Sequence, residues 1–207
     1  VLLVGHEKFL GPVTVNPSAS ADRAVVMRTW SLFQRYGRKE EKYGERFSFT
    51  GYTSTGNLLA AWLHFAGLSV AVATIVLLPP LRWLIALLAP RMGPGPVVHE
   101  DEKWSVEWKA VAEADLKDGG AEATAVGVMH VAVDVFTCCA MLAAEVALTL
   151  IDDLGSSADV NDRASLAMRL GGGVLTPASL GSRYIERLQR AGFQIRVGWH
   201  KDEETGA

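Results

Sequence analysis

Between Leu58 and Leu78 the chain runs for about 20 residues without a lysine, arginine, aspartate or glutamate, and Pro79-Pro80 ends the run. A helix of that length rises about 30 Å, the thickness of a bilayer's hydrocarbon core. His64 is its only ionisable residue. Each proline lacks an amide donor and disfavours helical geometry in the residue before it, so a turn is expected there. Leu81 to Ala89 resumes as a second apolar piece, interrupted by Arg82 and too short to cross a bilayer alone. Arg82 and Trp83, beside the break, have the character of interfacial anchors. The pattern predicts a projecting helical hairpin that enters one leaflet and offers Leu58, Trp62, Phe65, Val72, Ile75, Leu78 and Trp83 to lipid. Its small residues, among them Ala60, Ala61, Gly67 and Ala73, would equally suit two core helices of a soluble domain, and hydrophobicity alone does not separate these readings.

The rest of the chain is less apolar. Its 207 residues are 49% hydrophobic and 21% charged, enough for one sizeable domain with an appendage. A net charge of -3 with scattered basic residues excludes the electrostatic footprint of a nucleic-acid binder. The only cysteines, Cys138 and Cys139, are adjacent in an apolar helical pattern and cannot staple distant segments, so both are expected as reduced core residues in a cytosolic setting. The apolar start Val1-Leu2-Leu3-Val4 lacks the basic region and cleavage site of a signal peptide and reads as a cut end.

Residues 1–16 suggest two short extended pieces around a turn, and Ala24-Val25-Val26-Met27 is rich in strand-forming residues. Phe47, Phe49 and Tyr52 alternate with polar residues as a half-buried strand would. Met92-Gly93-Pro94-Gly95-Pro96 reads as a linker, followed by the charged run His99 to Lys103. From Trp104 to Asp115 apolar and polar residues alternate, Asp118-Gly119-Gly120 suits a tight turn, and Ala123 to Val131 forms the returning strand. Asp134 is placed to cap a helix running to about Leu150, apolar nearly all round and so expected to be buried against a sheet. Residues 156–169 read as a polar loop, followed by a helix from about Ala178 to Ala191, Gly192 as its stop, and a last strand from Phe193 to Trp199. The architecture predicted is α+β: one mixed β-sheet built from the Trp108 hairpin, the Phe49 region and the final strand, covered by helices, with the apolar hairpin projecting.

Catalytic signals are sparse. Gly171-Gly172-Gly173 lies ahead of a predicted helix, where backbone amides attract anions, yet neither Gly-x-Gly-x-x-Gly nor Gly-x-x-x-x-Gly-Lys-Ser/Thr occurs, so a structural turn is the expectation. His6, His64, His99, His130 and His200 show no paired metal-ligand spacing. His64, in the apolar helix, is the candidate for facing a substrate or an acyl chain. Asp152-Asp153 is expected in a solvated loop with its side chains pointing apart, and Glu186 and Arg190 as a surface pair.

Several stretches resemble the C-terminal region of the saccharopine dehydrogenase-like oxidoreductase family. They are Arg28-Thr29-Trp30-Ser31, Tyr43-Gly44-Glu45-Arg46-Phe47, Pro79-Pro80-Leu81-Arg82-Trp83-Leu84 and Gly93-Pro94-Gly95-Pro96. The ending Gly172-Gly173-Val174-Leu175-Thr176-Pro177-Ala178-Ser179-Leu180-Gly181, with Ile185-Glu186-Arg187-Leu188 and Ala191-Gly192-Phe193, is the most specific likeness. The resemblance implies an NAD(P)-dependent oxidoreductase whose Rossmann domain lies N-terminal to this region. Members are linked to lipid droplets, mitochondria and lipid or glycolipid metabolism. On it rest the expectations that no cofactor binds this chain itself, that NAD(P) sits in the preceding domain, and that no catalytic residue can be assigned here. The expected partners are a membrane or lipid-droplet surface on its cytosolic face, the Rossmann domain and a homodimer mate. The expected layout is a first part of the sheet domain over 1–57, the apolar hairpin over 58–90, the remainder of the sheet domain over 91–200 and a disordered tail over 201–207. A non-catalytic lipid-surface or partner-binding module is the alternative.

Overall fold

The computed structural model describes residues 3–88, 103–114, 123–155 and 164–201. The linker at 92–96, the charged run up to Glu102, the Asp118-Gly119-Gly120 turn and the tail from residue 202 lie outside these residues. The class is α+β. Two compact units interleave in the sequence, one formed by residues 1–19 and 50–102, the other by 20–49 and 103–207.

In the first unit β1 (Val4–Glu7), β2 (Gly11–Val15) and β3 (Tyr52–Ser54) form an antiparallel sheet with β2 in the middle. Val13 and Thr14, successive residues that point to opposite faces, are both buried. The expected strand around Phe47 and Phe49 is absent. Phe47 instead packs on Tyr43 at 5.4 Å, which stacks on Phe33 at 5.8 Å. Side chains of Trp30 and Gln34 donate to the carbonyls of Gly44 and Tyr43, so local contacts hold a shape that no ladder could share. The strand that does form, β3, pairs with β2 and not with the Trp108 hairpin. The contacts of Phe33, Tyr43 and Phe47 belong to the second unit, and helices α2 (Leu58–Leu77) and α3 (Pro79–Leu88) complete the first.

The second unit opens with α1 (Ala19–Tyr36), which contains the Ala24–Met27 block predicted as extended. β-branched propensity yields here to the burial of Thr29 and Leu32, three residues apart on one helical face. The Thr29 hydroxyl bonds that of Thr176 at 2.8 Å, fixing α1 to the chain after the glycine turn. Strands β4 (Val106–Ala114), β5 (Ala123–Val131) and β6 (Gln194–Lys201) make a second antiparallel sheet. Two antiparallel sheets thus replace the single mixed one, because every described pairing is a short-range hairpin or a return to a neighbouring edge.

Helix α4 (Val135–Gly155) begins as expected, with Asp134 Oδ1 accepting from the amides of Phe136 and Thr137 at 2.9 and 3.1 Å. Bonding to Thr137, and to the first-turn amides, holds the Asp134 carboxyl below the usual aspartate range. The helix continues past Leu150, and Asp152 and Asp153 lie on its last turns, not in a loop. The segment read as a polar loop contains α5 (Leu166–Leu170), with Leu166 and Ala167 buried. Ser165 caps it, accepting from the Met168 amide at 3.3 Å, and Gly171 ends it in the left-handed conformation at φ 69°.

The predicted helix over 178–191 is two pieces, a single 3-10 stretch at Pro177–Leu180 and α6 (Ser182–Arg190), separated by Gly181 at φ 70°. The stop at Gly192 is a full Schellman arrangement. Gly192 adopts φ 102°, its amide bonds Gln189 O at 3.1 Å, and the Phe193 amide bonds Leu188 O at 3.0 Å. Leu188 and Phe193 both join the core with Val131, Cys138, Ala167, Leu180 and Tyr184.

Four ion pairs organise the second unit. Arg183 meets Asp153 at 2.6 Å, and Arg187 meets Glu145 at 2.8 Å and Asp152 at 2.5 Å, all between α4 and α6. Arg169 meets Glu41 at 2.5 Å. Burial pushes the Glu41 carboxyl up, but the Arg169 and Arg38 hydrogen bonds together hold it below the usual glutamate range.

Gly192→Ala is expected to lower the stability of the second unit by about 1–2 kcal/mol, since a Cβ disfavours left-handed backbone, read as a shifted chemical-denaturation midpoint. Asp153 is 2% exposed and also accepts from the Ser165 hydroxyl at 3.2 Å. Asp153→Ala removes the bonds to Ser165 and Arg183, the second charge-assisted, and is expected to cost at least about 2–3 kcal/mol by the same measurement.

Candidate membrane-docking surface

Helix α2 starts where the polar sequence stops. Asn57 accepts from the Ala60 amide at 2.7 Å, so the first turn is capped by the last polar side chain before the apolar run. Inside the helix the Ser69 hydroxyl donates to Phe65 O at 2.8 Å, leaving that polar group paired without water. Ala61, fully buried, marks the contact with the sheet of β1 and β2. Beyond it the helix is largely uncovered. Leu59, Trp62, Leu63, Val70, Val72, Val76 and Leu77 are each more than half exposed.

The break between the helices differs from the expected proline turn. Leu78 alone leaves helical geometry, and Pro79 and Pro80 are the first residues of α3. Proline is favoured there because a first-turn amide has no partner to lose. Arg82 then reaches back: its Nη2 donates to Val76 O at 2.8 Å and its Nε to Ile75 O. Those carbonyls end α2 without intrahelical partners, so the one cation of the hairpin sits on the negative end of the α2 dipole. Its charge is partly compensated by backbone, which lowers the cost of holding it near hydrocarbon. Trp83, 71% exposed, follows directly.

The structure places the predicted contact residues as follows. Leu58, Trp62, Val72, Ile75, Leu78 and Trp83 are exposed, and Phe65 is half-buried with its ring edge-on to Trp62 at 6.1 Å. Phe65 and Val72 line an apolar groove with Val15, Leu68, Ala73 and Val76. His64 is exposed and lies outside the residues lining that groove.

A second apolar surface was not legible as such. Helix α4 buries Cys138, Thr149 and Asp153 along one stripe, with Leu142 and Glu145 half-buried between them. The opposite stripe, Phe136, Ala140, Ala143, Ala147 and Ile151, is exposed, as are Val135 and Cys139 beside the buried stripe. This corrects the expectations of all-round burial and of two core cysteines; both thiols are free, with Cys139 at the surface. The cause is the ion-pair set, which turns the few polar residues of α4 inward toward α6. Arg183 and Arg187 one turn apart, and Glu145 with Asp152 and Asp153 two turns on, carried that signal in the sequence.

Helices α2 and α4 are both long and apolar enough to cross a bilayer. Their chemistry separates them. Helix α4 is bound through three carboxylates to the arginines of α6, so inserting it would either strip those pairs or carry α6 into hydrocarbon. Helix α2 has no such obligation.

The glycine turn gives no phosphate cradle. Gly171, Gly172 and Gly173 all have positive φ, ending α5 and leading to a four-residue 3-10 stretch, with no strand before them. Among the described residues no group of His, Cys, Asp or Glu is arranged to hold a metal ion. Comparison of the chain with family models, with curated proteins and with solved structures gives no match.

Proposed function

We propose that this chain is the substrate-binding and membrane-docking C-terminal portion of an NAD(P)-dependent oxidoreductase of the saccharopine dehydrogenase-like kind, working in lipid metabolism at the cytosolic face of a membrane or lipid droplet. The observation that carries the docking half is the exposure of α2, a helix of 20 residues without Lys, Arg, Asp or Glu, capped by Asn57 at its start, with the Ser69 hydroxyl on its own backbone and Arg82 on its last carbonyls. Leaving so many large apolar side chains in water costs about 1.5–3 kcal/mol for each one that could be buried, and a lipid phase removes that cost. The half-length α3, with the exposed Trp83 in its second turn, suits a hairpin held at the interface.

The oxidoreductase half is supported by the likeness of the closing segment from Gly172 to Phe193 to that family. A nicotinamide dinucleotide does not fit the described residues: both sheets are antiparallel, and no strand leads through a glycine turn into a helix N-terminus. The cofactor would be held by the family's Rossmann domain, and no chemical step is assigned to this chain. The same misfit favours, as a second reading, a non-catalytic lipid-surface module.

Val72→Asp with Ile75→Asp is expected to reduce flotation with phosphatidylcholine vesicles at least about a thousandfold, since each acid costs about 2.5–3.5 kcal/mol at the centre of an inserted helix. Unchanged flotation, with the second unit's unfolding transition intact, would end the docking proposal. Calorimetric titration of NADH and NADPH into this chain and into the whole polypeptide of its gene separates the two readings. Binding by the whole polypeptide alone supports the oxidoreductase, and binding by neither supports the module.

A further inference from the structure

We infer that the α2–α3 hairpin enters and leaves lipid by the same face and crosses no bilayer, with α2 lying obliquely in one leaflet and turning Leu59, Leu63, Val70 and Leu77 toward the acyl chains. The inference rests on the docking reading and decides what that reading leaves open, since α2 alone is long enough to cross.

The constraint comes from how the chain is threaded. Residues 20–49 precede the hairpin and 103–207 follow it, yet both belong to the second unit. Side chains join the two parts. Thr29 Oγ1 bonds Thr176 Oγ1 at 2.8 Å in a buried position, Arg28 Nη2 donates to Val174 O at 3.5 Å, and Arg169 pairs with Glu41 at 2.5 Å. A single crossing by α2 would put the partners of each contact on opposite sides of the membrane. The chain that enters lipid after Asn57 must therefore come back to the side it left.

A second crossing is not available. Helix α4 cannot provide it, because it stands between β5 and β6, which pair from Ala123 opposite Lys201 to His130 opposite Gln194 and would be parted by the bilayer. Helix α3 has 10 residues and rises about 15 Å, half of the hydrocarbon core. Pro90, Arg91, Pro94 and Pro96 come next in the sequence, which denies it the apolar helical turns needed to finish a crossing. Extended backbone in hydrocarbon would leave its amides unmet. A return through half the core matches an entry through half the core. The 20 residues of α2 rise about 30 Å, so a leaflet about 15 Å deep holds them only if the helix inclines about 60° or more from the membrane normal.

An oblique helix has a side toward water and a side toward the acyl chains. Ala61 is fully buried where β1 and β2 pack on α2, and β1 brings His6 and Glu7 with it, so this side stays with the headgroups. At 3.6 residues per turn, Leu59, Leu63, Val70 and Leu77 all lie within about 20° of the direction opposite Ala61. They are 70, 65, 65 and 73% exposed, more than any other large apolar residue of α2. The stripe that the first unit leaves barest is thus the one an oblique helix turns to the acyl chains.

Co-translational insertion of the whole chain into sealed microsomes tests this, with Cys138→Ala and Cys139→Ser as the background for single cysteines. Ala24→Cys and Ser105→Cys, at exposed positions before and after the hairpin, are each expected to react with a membrane-impermeant maleimide as fully in sealed microsomes as after detergent. Dye-labelled Val70→Cys and Leu77→Cys report depth through quenching by nitroxides placed along the acyl chains, and Leu77 is expected to lie at least as deep as Val70. A crossing helix predicts the reverse on both counts: one of the two flanking positions protected until detergent is added, and Val70 near mid-helix deeper than Leu77 near its end. Either result overturns the inference while leaving docking intact. Failure of the chain to float with the microsomes would overturn docking itself and this inference with it.

Discussion

Arg183 and Arg187 stand one turn apart on α6 and reach three carboxylates of α4, and the second unit is arranged around that contact. Helix α4 has few polar side chains with which to decide which way it faces. Turning Glu145, Thr149 and Asp153 toward α6 necessarily turns Phe136, Ala143 and Ile151 outward. The same contact places Tyr184 over α4, where its hydroxyl bonds Leu142 O at 3.2 Å, and brings Leu188 and Phe193 beneath the sheet. Partly buried pairs of this kind contribute modest net stability, but losing one partner leaves a buried group such as the Asp153 carboxylate unpaired, so they select one packing over its neighbours.

The first unit obeys a different constraint. Polar groups of a helix in lipid must be met from within the protein, and α2 meets part of this demand with Asn57 at its start, the Ser69 hydroxyl turned onto its own backbone, and Arg82 at its end. Arg82 resolves two problems together: it covers carbonyls that no amide reaches, and it uses them to offset its own charge. The two long apolar helices thus differ in kind. One is apolar because lipid is its proposed surroundings, the other because a small-residue face lies opposite a charged one.

Much of this was legible in single stretches. The β4–β5 alternation, the Asp134 cap, the Gly192 stop and the run ending at Pro79 each depend on neighbours within a few residues, where dihedral preference and amide pairing decide the outcome. The misses share one cause. Ala24–Met27 has strand-forming side chains yet lies in α1 because Thr29 and Leu32 have a buried surface to meet. Phe47 alternates as a strand residue would, yet its ring is held by Tyr43. Asp152 and Asp153 look solvated until the arginines of α6, about 30 positions later, are brought beside them.

The sequence by itself determined where α2 begins and ends, that it carries no Lys, Arg, Asp or Glu, and which residues cap α4 and stop α6, because these follow from side chains acting on their own or adjacent backbone. Only the tertiary structure decided that the strands form two sheets, that α4 shows an apolar face to the outside, and that the Asp pair is structural. Those outcomes rest on contacts between residues far apart in the chain, where burial and ion pairing outweigh local preference by more than the few tenths of a kcal/mol per residue that propensity supplies.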